Sequence, residues 1–151
     1  MSNTNNSRSQ ARSAARLAAV QALYQRHMED ISLARLLDEF HQHRLGQEIE
    51  DEKYAEAEVE FFDDIVTGVD ARQGEIDELL QARLADGWTL ARLDKTMLQV
   101  LRAGTYELLA RADVPVAAAI CEYVDVAKAF FDDREAKFVN RILDAVAKQV
   151  R

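Results

Sequence analysis

Three arginines spaced four apart, Arg8, Arg12 and Arg16, are the first residues in this chain whose type and spacing suggest chemistry. A helix sets residues i and i+4 on one stripe, where like charges repel by roughly a few tenths of a kcal/mol per pair. Folding asks for no such stripe. It reads either as a solvated helix face or as a cationic edge for an anionic partner, since guanidinium forks match phosphate geometry. Taken alone, the net charge of -8 argues against nucleic acid, but the charge is unevenly spread. Residues 1–26 carry four arginines and no acid, and residues 134–151 carry five bases against Glu135 and Asp144. Between them, residues 29–64 hold 13 acids against Arg35, Arg44 and Lys53. Two basic ends flank an acidic middle, and that asymmetry says more than the mean.

Groups for catalysis or metal binding are poorly placed. His41 and His43 are two apart and cannot share a helix face, and His27 stands alone. Asp63-Asp64 and Asp132-Asp133 are adjacent pairs that diverge on a helix, so capping or a solvated face suits them better than chelation. There is no Gly-rich phosphate loop, paired-Cys motif or nucleophile elbow. The expectation is no catalytic residue, no metal and no cofactor. Cys121 is the single cysteine, which excludes an internal disulfide and fits a reducing cytosol. No apolar run reaches membrane-spanning length and the N-terminus lacks an apolar signal core, so a cytoplasmic protein without a membrane anchor is expected.

The elements that must position these side chains read as helices throughout. Five Gly and one Pro are too few turn residues for a β-rich chain of 151 residues. Residues 1–7 read as a disordered tail, and residues 8–151 as a single domain. Leu17, Val20, Leu23 and their neighbours give the first helix an apolar face. Asp30 or Ser32 caps a second helix with Leu33, Leu36, Leu37 and Phe40 inward. A polar loop covers 42–52 and includes Gly46. A third helix follows, with Tyr54, Phe61 or Phe62, Ile65, Val66 and Val69 facing the core. Gly74 is expected to break or bend the chain before a short fourth helix with Ile76, Leu79, Leu80 and Leu84. After an Asp86-Gly87 turn, Thr89 is the expected cap ahead of a fifth, centrally buried helix through Leu93, Leu98, Leu101 and Leu108. Asp113 and Pro115 open a sixth helix, and the last helix holds Phe138, Val139, Ile142, Leu143 and Val146. The sum is an all-α bundle of about seven helices.

Four segments, in order, carry a resemblance: Arg16-Leu-Ala-Ala-Val-Gln-Ala-Leu-Tyr24-Gln25; Arg92-Leu-Asp94 with Leu101-Arg102 and Tyr106-Glu107-Leu108-Leu109; Asp113-Val-Pro115 with Ile120, Glu122 and Ala127-Lys128; and Lys137-Phe138-Val139-Asn140 with Ile142-Leu143-Asp144. Together they resemble the NusB family from Arg8 onward. The resemblance implies a compact helical bundle in two packed halves. It further implies binding of boxA RNA together with the small-subunit ribosomal protein that acts as NusE. That pair would serve an RNA polymerase antitermination complex, notably during ribosomal RNA transcription; some family members self-associate, which would make a homodimer. On the matching positions, Arg8, Arg12 and Arg16 stand in the RNA-contacting opening helix, and Tyr24 matches an RNA-facing aromatic. Arg134, Lys137 and Phe138 fall where the loop before the last helix and its first turn approach RNA. The chain departs from the family's habit at Ser13, Ala14, Cys121 and Phe131, the last where a glycine is common; a different local turn is expected there because Phe does not share glycine's positive φ.

Stacking on aromatics and hydrogen bonds to unpaired base edges are how single-stranded RNA is usually held. Phe138 or Tyr24 could supply a stacking face, yet each has apolar neighbours at helical spacing, so a core role stands beside the RNA role. Glu107 and Glu122 lie in apolar helices and need partners, for which Arg102 and Lys128 are the candidates. Asn140, unfavourable within a helix, is expected to bond something specific, such as a loop. Two other functions compete: the front domain of a ribosomal RNA cytosine methyltransferase, disfavoured by the missing cofactor and cysteine motifs, and a protein-only adaptor docking through acidic residues 48–64.

Overall fold

A computed structural model describes the backbone of residues 2–45 and 52–151, and side chains from Arg8 onward outside 46–54 and 57. Among the described residues there are six α-helices and no strand: α1 (Ser2–Met28), α2 (Leu33–His43), α3 (Glu52–Gln81), α4 (Lys95–Ala110), α5 (Val116–Phe130) and α6 (Asp133–Val150). A single 3-10 turn, Leu90–Arg92, precedes α4. The expected loop around Gly46 and the inward placement of Tyr54 fall outside the described residues. The chain divides into two compact units, residues 1–67 and 68–151.

In the first unit α1 packs on α2. The face of α1 that is wholly buried is built from small residues, Ala11, Ala15 and Ala19, followed by Val20, Ala22 and Leu23. Alanine is the best helix former, and it also lets neighbouring elements approach closely. Ser32 caps α2, its hydroxyl accepting from the Arg35 N–H at 3.2 Å. Leu36 and Phe40 are the buried residues of α2, and the Phe40 ring stacks on Phe62 at 5.3 Å with an interplanar angle of 19°. Such a pair adds ~0.5–1.5 kcal/mol to the area it buries.

The count of six helices, one fewer than expected, has a local cause. No separate helix starts after Gly74. The third and fourth predicted helices are one element, kinked at Arg72, whose φ of -116° and ψ of 19° leave the helical range. Arg72 reaches forward to Glu75 with two hydrogen bonds of 2.8 and 3.1 Å, bracing the restart of the helix. This contact holds the Glu75 carboxyl below its ordinary range, because the charged form accepts both bonds.

In the second unit α4, α5 and α6 pack against one another. From Met97 to Leu108 every residue of α4 is buried, as expected of a helix that is apolar on more than one side. The cap of α4 is Asp94, not Thr89: its carboxylate accepts from the N–H groups of Thr96 and Met97 at 2.8 and 3.1 Å. Thr89 instead precedes the 3-10 turn and makes no side-chain cap bond. Pro115, not Asp113, occupies the cap position of α5, while Asp113 pairs with Arg111 at 3.1 Å. The buried Arg102 is matched by Asp77, two parallel bonds of 2.9 Å, and not by Glu107 or Glu122. A forked guanidinium–carboxylate contact is the geometry that best offsets desolvation of the two charges. Arg151 closes the far end of α4, donating to the carbonyls of Glu107, Leu108, Arg111 and Val114 at 2.6–3.2 Å.

Phe131 ends α5 with φ -137° and ψ 174°, and its N–H donates to Ala127 at 2.8 Å. This is extended backbone open to any residue, so a glycine is not needed there.

Candidate nucleic-acid interface

The arginine stripe does not behave as three equal cations. Arg8 is exposed, Arg12 is half-buried, and Arg16 is only 4% exposed. The guanidinium groups of Arg12 and Arg16 both lie over the Phe61 ring, at 4.7 and 5.0 Å from its centre. Stacking on an aromatic face stabilises a cation by ~0.5–2 kcal/mol, more when water is excluded. Helical geometry explains the gradient. Four residues overshoot a turn of 3.6 residues by about 40°. The row Arg8, Arg12, Arg16, Val20, Tyr24, Met28 therefore winds around α1, into the core at Arg16 and Val20 and out again at Tyr24, 39% exposed, and Met28, 55% exposed. Arg8, Arg12 and Tyr24 remain accessible, while Arg16 is committed to Phe61.

In the second unit, the start of α6 gathers Arg134, Lys137 and Phe138. Asp132 occupies the N-cap position of this helix without a side-chain cap bond, and Asp133 and Glu135 sit in its first turn, where acidic groups favour the positive helix end. Ala136, Val139, Ile142, Leu143, Val146 and Ala147 point inward. Arg134 and Lys137 are exposed on the other side, and Phe138 lies half-buried at the border. Arg141 lies over the Phe138 ring at 5.4 Å. The two readings of Phe138 thus meet: part of the ring packs, and part faces solvent. Lys137 also lines a shallow hollow between α5 and α6 with Lys128, Asp133 and Asn140. Asn140 is exposed there, so its amide faces the surface and not a packed loop.

The structure therefore brings Arg134, Lys137 and Phe138 together on α6, and sets Arg8, Arg12, Arg16 and Tyr24 along α1 in the other unit. One aromatic was missed from the sequence. Trp88, 46% exposed, carries the Arg92 guanidinium over its ring at 4.8 Å. The signal was present as an aromatic at a turn with an arginine four residues on. Elsewhere, His41 bonds Asp63 at 2.5 Å. Among the described residues no three His, Cys, Asp or Glu side chains form a metal-holding group, and no helix is long and apolar enough to cross a membrane.

Fold and surface together define the class: a small protein, all-α among the described residues, with exposed arginines and aromatics on and between its helices. Comparison with known proteins then gives the family. The sequence model of the NusB family matches residues 13–148. Transcription antitermination protein NusB of Novosphingobium aromaticivorans is 72% identical over 141 residues, covering 93% of this chain and 95% of the relative. That of Sphingopyxis alaskensis is 66% identical over 146 residues, covering 97% and 98%. A solved structure of T. maritima NusB superposes with a TM-score of 0.75 at 33% identity, covering 91% of each chain. The fold is also shared, at 24% identity and a TM-score of 0.76, with a structure of the antitermination factors NusB and NusE in complex with dsRNA, covering 93% of this chain and 98% of that one. This chain belongs to the NusB family. Transcription antitermination is the function that membership carries.

Proposed function

We propose that this chain acts in antitermination by binding boxA-type RNA jointly with the small-subunit ribosomal protein NusE, so that RNA polymerase passes terminators while ribosomal RNA is transcribed. The observation that carries this reading is the cluster of Arg134, Lys137 and Phe138 on the first turns of α6, with Arg141 stacked on the phenyl ring. Cations there meet phosphates, and the solvent-facing part of the ring offers a base somewhere to stack. Arg8 and Arg12 add charge from α1, and Tyr24 an accessible ring on the same helix. Arg16 takes part by holding Phe61 and, through it, the side of α1 on which Arg12 lies. One RNA-binding domain over 8–151 and a cytoplasmic setting belong to the same proposal. So does a self-associated form that stores the protein away from RNA.

Nothing in this mechanism makes or breaks a covalent bond. The protein works as half of a binding site that a basic protein partner completes. The acidic segment between the two basic ends supports that pairing, since opposite fields steer association. The test is transcription through a terminator placed behind a boxA element, with and without this chain and NusE. Read-through that needs both proteins and the intact boxA is the expected result. Read-through indifferent to boxA would overturn the proposal.

A further inference from the structure

A groove of about 370 Å³ runs between the Leu84–Leu93 segment and α6. On one wall stand Trp88, Leu84 and Leu93, and on the other Phe138, Arg134 and Arg141. We propose that this groove is a second base-stacking subsite, in which the Trp88 indole takes a nucleotide adjacent to the one held at Phe138.

Four observations carry it. First, Trp88 is nearly half exposed, although folding would be better served by burying so large an apolar surface. Second, its loop is held in place. Gln81 donates to the Trp88 carbonyl at 2.8 Å and accepts from the Leu90 N–H at 3.1 Å, and Arg92 donates to the Gly87 carbonyl at 3.1 Å. Gly87 supplies the φ of 85° that the turn needs, a conformation side-chain-bearing residues rarely adopt. A fixed ring loses less entropy when a base stacks on it. Third, the charge is right for a polyanion: Arg92 lies over Trp88, Arg141 over Phe138, and Arg134 lines the groove, whose one lining carboxylate is Glu135. Fourth, that carboxylate has one buried oxygen with no hydrogen-bond partner, an acceptor suited to the amino group of a base edge.

The proposal rests on the RNA reading of α6 and extends it, since Phe138 and Arg134 belong to both. Its occupant is single-stranded RNA, because stacking rings ringed by guanidinium groups suit bases and phosphates together.

Trp88 is the one tryptophan in the chain, so its emission reports on this groove alone. The experiment follows intrinsic fluorescence and the anisotropy of end-labelled boxA RNA in the same titration, on the full chain with and without NusE. Saturable quenching with the same midpoint as the anisotropy is expected. Trp88→Leu should weaken RNA binding by about 5- to 150-fold, the range base–aromatic stacking spans. Trp88→Phe, which keeps a ring and guards against a folding artefact, should restore most of it. RNA binding seen by anisotropy, with unchanged emission and full affinity in Trp88→Leu, overturns the groove but leaves the α6 reading intact. No RNA binding under any condition overturns both. Quenching by NusE without RNA, with Trp88→Leu losing only NusE, assigns the groove to the protein partner and overturns the proposal.

Discussion

Two glycines in α3, six residues apart, should respond to the same substitution with opposite signs. A Cβ added at Gly68 would overlap the Cζ and Cε1 atoms of Tyr106 and come within 2.6 Å of its hydroxyl. The ring is rigid and only 6% exposed, so it has to be displaced from a packed site. Overpacking of this sort costs ~1–3 kcal/mol, and a rigid ring places Gly68→Ala near the upper end. Against this stands the helix-propensity gain of ~1 kcal/mol for alanine over glycine. The net expectation is a loss of about 2 kcal/mol. At Gly74 an added Cβ meets nothing within 4 Å, so Gly74→Ala keeps the gain, ~0.5–1 kcal/mol. In a chain of this size, thermal unfolding should shift by roughly 2–4 °C per kcal/mol. Calorimetry should therefore show Gly68→Ala melting about 4–8 °C lower and Gly74→Ala about 1–4 °C higher. Loss of stability in both would mean that Gly74 is needed as a breaker after all. A gain in both would mean that Tyr106 does not lie across Gly68.

Arg8→Ala with Arg12→Ala should weaken RNA binding and flatten the dependence of log K on log salt by about 1.4, at ~0.7 per phosphate contact on a single strand. Arg16→Ala should instead lower the melting temperature through its loss of the Phe61 contact, checked by the same calorimetry. Phe138→Ala should reduce RNA affinity about tenfold or more while costing only about 1–2 kcal/mol of stability, because the ring is half-buried; a loss of 4 kcal/mol or more in urea unfolding would make it a core residue. The Arg72 fork depresses the Glu75 carboxyl, so its contribution to stability is present above the ordinary value of 4.5 and is lost as pH falls below it. In a carboxyl NMR titration, Glu75 should protonate below its usual range, and Arg72→Ala should return it there.

Much of the fold was legible because burial follows helical periodicity. The inward rows of α2, α4 and α6 follow directly from residue spacing, and of the two capping candidates for α2, Asp30 and Ser32, the structure uses Ser32. Boundaries were harder. Asp94 outcompetes Thr89 as a cap because its carboxylate can accept two N–H groups at once, which spacing does not reveal. The bend near Gly74 was anticipated two residues late, since Arg72 stabilises the kink through a side-chain contact and not through backbone freedom. At the candidate interface, α6 gathers Arg134, Lys137 and Phe138 as the spacing allowed. The arginine stripe misled at Arg16, because a four-residue row drifts around a helix and enters the core. Trp88 went unnoticed because exposure at a turn depends on what the loop packs against.

The central claim is joint recognition of RNA by this chain and NusE. It is tested most directly by the anisotropy of a labelled boxA RNA and a scrambled control, titrated with this chain alone and with NusE at two salt concentrations. Preference for boxA that tightens when NusE is added, and weakens with salt, is the predicted result. Equal and weak binding to both RNAs, unmoved by NusE, would contradict it.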